Sequence, residues 1–277
     1  MRALVTGAAG MLGRDLVPLL EGAEHAVVAV DLDVDITDPA AVDRCVASAR
    51  PDAVFHLAAW TDVDGAEANE ARALAVNADG ARNVARATAR AGASLVFVST
   101  DYVFDGASRR DYAEDDPAAP LGAYGRTKLA GERAVLEEHP HGARIARTAW
   151  LYGRHGRNFV DTMCRAAGER DEVAVVDDQE GSPTWTRDLA PVLVALLDRP
   201  PGVYHTTGAG SATWADFAEA IFAEAAIACR VRRITTAEIA RPAPRPARSV
   251  LAVTKPGAPR LRHWREALSD YIRERES

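Results

Sequence analysis

Short apolar runs alternate with amphipathic stretches along the first half of the chain. The runs that predict β-strands cover residues 3–6, 25–30, 51–59, 94–99 and 143–148. The stretches between them, such as 77–90, repeat apolar residues at helical spacing. Alternating strands and helices are typical of a parallel sheet that helices cover on both faces. The pattern therefore predicts an α/β fold with a Rossmann-type, doubly wound parallel sheet.

The alternation becomes looser after about residue 153. Helices are still predicted, over or near residues 158–167, 188–197, 214–226 and 262–274. Further strands are predicted over residues 173–176 and 203–207. Residues 1–152 are therefore expected to form one domain, and residues 153–277 mainly a smaller C-terminal α/β lobe. A later segment, about 177–205, is expected to return to the first domain.

Composition and charge narrow the class of protein. The chain has 277 residues, of which 48% are hydrophobic and 26% charged, as in ordinary globular proteins. Its net charge of −7 argues against a nucleic acid or an anionic membrane as partner. It contains no apolar run long enough to span a bilayer, and it begins with a strand rather than a signal peptide. We therefore expect a cytoplasmic protein.

Three glycines follow the first predicted strand at the spacing G-x-x-G-x-x-G. Gly7 permits a tight turn, Gly10 lets backbone amides approach a pyrophosphate, and Gly13 lets the next helix pack close to the sheet. The residues between the last two glycines, whose amides could bind the pyrophosphate, are Met11 and Leu12. Because the N-terminus of the next helix would face the phosphates, this unit predicts that residues 1–152 bind NAD(P).

An acidic residue ends the second predicted strand, about 20 residues after the glycines. Asp31 is placed to accept a hydrogen bond from a ribose 2′-hydroxyl and to repel a 2′-phosphate, which favours NADH. Asp35 and Ile36 follow in the same loop and are expected to lie beside the adenine. Three residues after the third strand are expected at the ligand crevice of a doubly wound sheet: Ala58, Ala59 and Trp60.

Tyr124 and Lys128 are four residues apart in the predicted helix 121–132, and therefore lie on one face of it. An ammonium near a phenol lowers the pKa of the phenol, so Tyr124 is expected to act as a general acid or base. Thr100 ends the fourth predicted strand, so its hydroxyl is expected to point into the same crevice. These three residues form the predicted catalytic group.

The glycine triplet, Thr100 and Tyr124-x-x-x-Lys128 together resemble the extended short-chain dehydrogenase/reductase superfamily. Within that superfamily, the chain is similar to the dTDP-4-dehydrorhamnose reductase family of sugar-nucleotide 4-ketoreductases. Motifs typical of the family occur in the family's order over most of the chain, at residues 99–106, 124–132, 147–153, 158–159, 179–184 and 245–251.

The resemblance implies an enzyme that reduces the C4 ketone of a dTDP-4-keto-6-deoxy sugar with NADH or NADPH. Tyr124 would give a proton to the developing alkoxide, and Lys128 would lower the pKa of the phenol and hold the nicotinamide ribose. Thr100 would orient the carbonyl oxygen. The residues implied to bind the sugar nucleotide are Thr100, Asp101, Tyr124, Trp150, Asn158 and Arg245.

A sugar nucleotide carries a diphosphate, so its pocket in an acidic protein needs local cations. Arg241, Arg245 and Arg248 lie in one proline-stiffened loop, and Arg245 matches the family motif. Trp150 follows the fifth strand and is expected to stack on the sugar, whereas Asn158 is expected to donate to the ligand. In this interpretation the C-terminal lobe binds the substrate.

The resemblance also bears on metal binding and on assembly. Some members of the family dimerise through a metal ion that glutamates hold. At the corresponding positions this chain has Asp15 and the pair Arg187–Asp188, so no metal site is expected. A monomer and a homodimer both fit the sequence.

Two other functions remain open at this point. A relative of the family serves as a non-catalytic regulatory subunit of methionine adenosyltransferase, and such a protein would bind NAD(P) without turnover. A nucleotide-sugar epimerase or dehydratase would instead keep NAD+ tightly bound. Dehydratases place acidic residues directly after the threonine, whereas here Tyr102 follows Asp101. A reductase of this type could serve rhamnose synthesis for a cell wall or deoxysugar synthesis for a natural product.

Overall fold

In the computed structural model, which describes residues 1–276, strands β1 to β12 occur in chain order. They are Arg2–Thr6, Ala26–Val30, Ala53–His56, Ser94–Thr100, Ala143–Thr148, Leu151–Tyr152, Glu172–Val176, Glu180–Gly181, Thr184–Trp185, Gly202–His205, Ala212–Thr213 and Arg230–Ile234.

Helices α1 to α10 connect and cover these strands. They are Gly13–Gly22, Pro39–Ala49, Val63–Ala68, Glu70–Leu74, Ala81–Arg90, Ala123–Glu138, Phe159–Glu169, Thr186–Ala195, Trp214–Glu224 and Trp264–Glu276. A π-helical turn, Ala75–Gly80, leads into α5. Single 3₁₀ turns occupy Asp101–Val103, Leu196–Asp198 and Thr236–Glu238.

The central sheet has six strands, all parallel, in the order β10-β5-β4-β3-β1-β2. The chain leaves β1 toward β2 on one side and continues from β3 on the other side. The strand order therefore reverses between β1 and β3, and ligands of open α/β sheets bind outside the carboxyl ends of the strands at such a point. The predicted fold class is confirmed, and the reversal places the crevice between the loops after β1 and β3.

Two apolar clusters pack the two faces of this sheet. On one face, Leu16 and Leu20 of α1 pack with Leu189 and Leu193 of α8. On the opposite face, helices α2 and α5 cover the strands, with residues such as Val84 buried completely. Because α8 packs on this sheet and β10 joins it, the segment 186–205 is structurally part of the first core.

A third apolar cluster lies outside the sheet and forms the core of the C-terminal lobe. Helices α7, α9 and α10 contribute to it, with Phe217 and Trp264 among its buried side chains. Strand β12 pairs in parallel with β7 beside this core. The hydrophobic pattern did not predict β12, because three of its five residues are arginines and only Val231 and Ile234 turn toward apolar neighbours. None of the described helices is both long and apolar enough to cross a bilayer.

Candidate active site

The turn after β1 has the close packing that its glycines predict. Gly7 has φ of +70°, and a Cβ added there would lie 2.6 Å from the Ala58 nitrogen in the loop after β3. A Cβ on Gly13 would lie 2.5 Å from the Ala8 carbonyl oxygen. The two glycines therefore hold the turn against α1 and against the neighbouring loop.

The backbone amides in this turn are available to a ligand. Among the described residues, the Met11 and Leu12 amides have no hydrogen-bond partner, and no side chain caps the N-terminus of α1. A Cβ on Gly10 would meet only the Gly7 carbonyl oxygen, at 3.1 Å, so this side of the turn is open. Free amides at a helix N-terminus attract anions, and the turn therefore fits a dinucleotide pyrophosphate.

Asp31 lies directly beside the glycine turn. One of its carboxylate oxygens accepts a hydrogen bond from the Ala9 amide at 2.8 Å, and the other has no protein donor in the described structure. The backbone amide of Asp31 in turn donates to Asp33 at 2.7 Å. The free oxygen is available for a ribose hydroxyl, and the predicted contact between Asp31 and the ribose stays a prediction.

The predicted adenine side of the crevice is formed by the loop after Asp31. Ile36 is buried, and its Cδ1 would lie 2.8 Å from a Cβ on Gly80, in the π-helical turn. Asp35 is exposed and accepts from the Thr37 amide and hydroxyl, at 2.9 and 2.7 Å, which lowers the pKa of its carboxyl. Asp35 therefore organises this loop in the free protein, and its predicted contact with adenine stays a prediction.

Asn77 connects the crevice to the helix that carries Tyr124, and sequence reasoning did not select it. Its side-chain oxygen accepts from the Trp60 amide at 2.8 Å. Its side-chain nitrogen donates to Thr127 of α6 at 3.0 Å. Asn77 therefore ties the predicted cofactor loop, Ala58 to Trp60, to α6. It belongs to the π-helical turn, a distortion that often marks functional sites.

Thr100 and Tyr124 lie together at the carboxyl end of β4. The Thr100 side chain lies beside the phenol of Tyr124, and its hydroxyl donates to Asp101 at 3.1 Å. Asp101 is buried and accepts from Ser249 at 2.5 Å. Burial raises the pKa of Asp101 to about 7, since these hydrogen bonds only partly offset the loss of solvent. Two predicted catalytic residues and one predicted substrate-binding residue thus form one connected group.

The predicted net direction of the pKa shift of Tyr124 is wrong for the free protein. Burial raises the pKa of Tyr124 to about 12 and lowers the pKa of Lys128 to about 7. The Lys128 amine donates to the Val98 carbonyl at 2.7 Å and lies 4.2 Å from the centre of the Phe97 ring. Sequence spacing places the two residues one turn apart but does not reveal how strongly burial disfavours both charged forms.

A buried ion pair between Glu132 and Arg147 packs α6 against the sheet, and it was not predicted from the sequence. Glu132, one turn after Lys128, accepts from Arg147 of β5 at 2.7 and 2.9 Å. It also accepts from Ser99 of β4 at 2.5 Å. The pair fixes α6 against two strands, and the carboxylate of Glu132 raises the pKa of Lys128 against the effect of burial. Because Ser99 precedes Thr100, the same carboxylate also anchors the end of β4.

The proline-rich loop reaches the catalytic residues from the C-terminal half of the chain. A narrow cleft at the start of α6 is lined by Val63, Tyr102, Leu121, Gly122, Tyr124, Gly125, Pro244 and Pro246. Arg245 of this loop is bound to Asp64 of α3 through two hydrogen bonds, at 2.9 and 2.8 Å, and is almost fully buried. It also lies beside Tyr102, whose ring packs edge-on against Tyr124. The loop is thus at the predicted substrate side.

Trp150 and Asn158 are used in the protein's own packing. The Trp150 ring stacks on Trp214 with 3.5 Å between centroids, so one face of its indole is covered. Asn158 caps α7 by accepting from the Asp161 amide at 3.0 Å, and its side-chain nitrogen donates to the Gly153 carbonyl at 2.8 Å. A sugar must therefore use the uncovered part of Trp150, and a hydrogen bond donated by Asn158 to a ligand would compete with the bond that it donates to Gly153.

The side chains at the positions considered for metal binding form hydrogen bonds and ion pairs with other residues of the protein. Asp15 accepts from Thr186 at 2.5 Å, Asp188 pairs with Arg262, and Arg187 pairs with Glu274. Within the described part of the chain, no three His, Cys, Asp or Glu side chains are grouped so that they could hold a metal ion. The expectation that the protein needs no metal stays a prediction.

Comparison with known proteins gives the family. The family described as "RmlD substrate binding domain" matches residues 1–277. A dTDP-4-dehydrorhamnose reductase of Streptomyces griseus is 50% identical over 97% of this chain and 92% of its own length. A dTDP-4-keto-6-deoxy-D-glucose reductase of Streptomyces niveus is also 50% identical, over 97% of this chain and 95% of its own length.

Solved structures agree with the sequence comparison. A dTDP-4-dehydrorhamnose reductase from Clostridium acetobutylicum aligns with a TM-score of 0.96 and 41% identity over 100% of both chains. The dTDP-4-dehydrorhamnose reductase from Bacillus anthracis, in complex with NADP, aligns with a TM-score of 0.95 and 40% identity over 99% of both chains. The chain therefore belongs to the dTDP-4-dehydrorhamnose reductase family of the extended short-chain dehydrogenases/reductases.

Proposed function

We infer that the protein is an NAD(P)H-dependent reductase of the C4 ketone of a dTDP-4-keto-6-deoxy sugar. The observation that carries this inference is the arrangement of Thr100, Tyr124 and Lys128, which share one edge of the sheet. The open glycine turn after β1 lies at the same edge and fits the cofactor's pyrophosphate. Relatives that are 50% identical carry the names of reductases of dTDP-4-keto sugars.

Tyr124 acts as the general acid. Its raised pKa, about 12, keeps the phenol protonated at neutral pH, so it has a proton to give. The reduced nicotinamide, when bound, supplies the hydride to the carbonyl carbon. Thr100, which lies beside the phenol, orients the carbonyl oxygen so that the developing alkoxide forms where Tyr124 can protonate it.

Lys128 stabilises the phenolate that proton transfer leaves behind. A protonated amine one helical turn from Tyr124 favours the charged form of the phenol. Burial lowers the pKa of this amine to about 7, and the carboxylate of Glu132 raises it. Glu132 thereby keeps part of the Lys128 population charged, and its bonds to Arg147 and Ser99 hold α6 in register with Thr100.

The substrate is proposed to lie between the catalytic residues and the proline-rich loop. Tyr102 adjoins Tyr124 on this side, Arg245 lies beside Tyr102, and Asp101 is linked to the loop through Ser249. A diphosphate would be attracted by the guanidinium of Arg245, with the part of Trp150 that Trp214 leaves uncovered available to the sugar. We further propose a cytoplasmic enzyme that needs no metal and works as a monomer or a homodimer.

The test is to mix the purified protein with NADPH or NADH and a small panel of dTDP-4-keto-6-deoxyhexoses. The proposal requires that the reduced nicotinamide absorbance disappears in proportion to the sugar reduced, in the presence of EDTA as well as without it. A regulatory subunit would bind the dinucleotide and consume none. An epimerase or dehydratase would convert a dTDP-sugar without consuming added cofactor and would carry NAD+ through purification.

A further inference from the structure

A positively charged side chain, Arg14, lies beside the glycine turn and has no role in the proposed function so far described. Arg14, in the first turn of α1, is exposed, and its Nε donates to the Ala9 carbonyl oxygen at 3.1 Å. No other hydrogen bond or ion pair involves its guanidinium in the described structure, so its terminal nitrogens are free. The carbonyl contact fixes the direction of the side chain and leaves its charged end at the surface of the turn.

Arg14 and Asp31 are held by the same residue. The Ala9 amide donates to Asp31 at 2.8 Å, while the Ala9 carbonyl accepts from Arg14. Both contacts are on one backbone unit, so the carboxylate and the Arg14 Nε lie at most about 9 Å apart. A ribose that is bound to the free oxygen of Asp31 would thus have the guanidinium of Arg14 within reach of its 2′ substituent.

The carboxylates near the glycine turn explain why binding of a 2′-phosphate would require a cation. The Asp33 carboxylate accepts from the Asp31 amide at 2.7 Å, so a second carboxylate lies close to Asp31. Asp15, next to Arg14 in α1, accepts from Thr186 instead. A 2′-phosphate would meet strong repulsion from Asp31 and Asp33 unless a guanidinium compensates, and arginine binds phosphate through charge-assisted hydrogen bonds.

We propose that Arg14 binds the 2′-phosphate of NADPH, so that the protein accepts NADPH although Asp31 ends β2. Asp31 then serves the 2′-hydroxyl of NADH, and the two residues together admit both cofactors. This inference rests on the proposed function, because it concerns the cofactor of the reductase. It revises the sequence expectation that Asp31 alone sets a preference for NADH.

The experiment compares cofactor binding, not turnover, by fluorescence titration of NADPH and NADH into wild type, Arg14→Gln and a control. Loss of a charge-assisted contact should weaken NADPH binding by about 10- to 100-fold in Arg14→Gln and change NADH binding by less than about twofold. Arg133→Gln is the matched control, since Arg133 is an exposed arginine of α6 with no partner in the described structure, and it should change neither.

A second variant and a fragment pair separate the phosphate contact from a structural effect. Asp31→Asn keeps an acceptor for the Ala9 amide and removes the charge, so it should strengthen NADPH binding. Adenosine 2′,5′-bisphosphate should lose affinity for Arg14→Gln, whereas adenosine 5′-monophosphate should not.

Different results overturn different claims. Equal loss of NADPH and NADH binding in Arg14→Gln, or no loss of either, would overturn the role of Arg14 alone. A wild-type protein that binds neither dinucleotide would overturn the proposed function together with this inference.

Discussion

Replacement of Glu132 by glutamine should move the alkaline limb of the pH–activity profile to lower pH. Lys128 can stabilise the phenolate of Tyr124 only while its amine is protonated, and burial lowers the pKa of that amine to about 7. The carboxylate of Glu132, one turn further along α6, opposes this effect. Glutamine has nearly the same shape but no charge, so Lys128 should lose its proton at lower pH.

The size of the shift can be worked from the helix. Side chains at positions i and i+4 have Cβ atoms about 5–6 Å apart. Two unit charges about 6 Å apart, at an effective dielectric constant of about 20, interact by about 3 kcal/mol, or about 2 pKa units. Glu132 is already paired with Arg147, whose positive charge offsets part of the attraction between Glu132 and Lys128. We therefore expect a shift of about 1 pKa unit.

The same substitution should also destabilise the fold, because Arg147 keeps a buried charge without a counter-charge. The side chains of the pair are 6% and 3% exposed. Loss of one partner of such a pair costs about 3–5 kcal/mol, and since glutamine can still accept a hydrogen bond we expect the lower end. Glu138→Gln is the matched control on the same helix: its pairs with Arg82 and Arg86 lie near the surface, where ion pairs contribute about 0–1 kcal/mol.

The assay is kcat/KM against pH for wild type and both variants, with urea unfolding at neutral pH to measure stability. The expected result is a displaced alkaline limb in Glu132→Gln and an unchanged one in Glu138→Gln. An alkaline limb that does not move in Glu132→Gln would refute the electrostatic role, even if that variant is less stable. Equal shifts in both variants would refute it as well.

Three further predictions concern the catalytic acid, the buried aspartate and the substrate loop. Tyr124→Phe should lower kcat by about a hundredfold or more and leave NADPH binding unchanged in calorimetry; near-normal turnover would contradict the assignment. Burial raises the pKa of Asp101 to about 7, so the free energy of unfolding of wild type relative to that of Asp101→Asn should fall as pH rises from about 4 to about 7. Urea unfolding measures this difference, and a difference that stays constant with pH would contradict the prediction. Arg245→Ala should weaken dTDP binding by about 2 kcal/mol. Asp64→Asn breaks the same ion pair but keeps the guanidinium, so it should leave dTDP binding unchanged. Equal calorimetric affinities of wild type and Arg245→Ala for dTDP would show that this loop is not part of the substrate site.

The features that sequence predicts well here are local ones. The glycine turn, the acid at the end of β2 and the pair Tyr124 and Lys128 each depend on spacing within one strand or one helix. Parallel strands place their carboxyl ends at one edge of the sheet, so Thr100 was correctly expected near Tyr124. Most of the longer strands and helices could be assigned for the same reason. The two-residue strands and β12, which carries arginines on most positions, were not predicted.

The features that sequence misses depend on contacts between distant parts of the chain. Asn77 acts through Trp60 and Thr127, and Glu132 acts through Ser99 and Arg147, partners that only the folded chain brings together. The direction predicted for the pKa shift of Tyr124 is wrong. Residue spacing reveals that a charged group is near, but it does not reveal that both groups lose their contact with solvent. Burial is a property of the whole fold.

The most direct test of the proposed reaction is to follow the hydrogen that is transferred. The protein would be incubated with NADPH that carries deuterium at the transferable position of the nicotinamide, together with a dTDP-4-keto-6-deoxyhexose, and the product examined by NMR and mass spectrometry. A C4 ketone reductase must give a product with one deuterium, located at C4, and with the ketone replaced by a hydroxyl. A product without deuterium, or with the ketone retained, would contradict the proposed function.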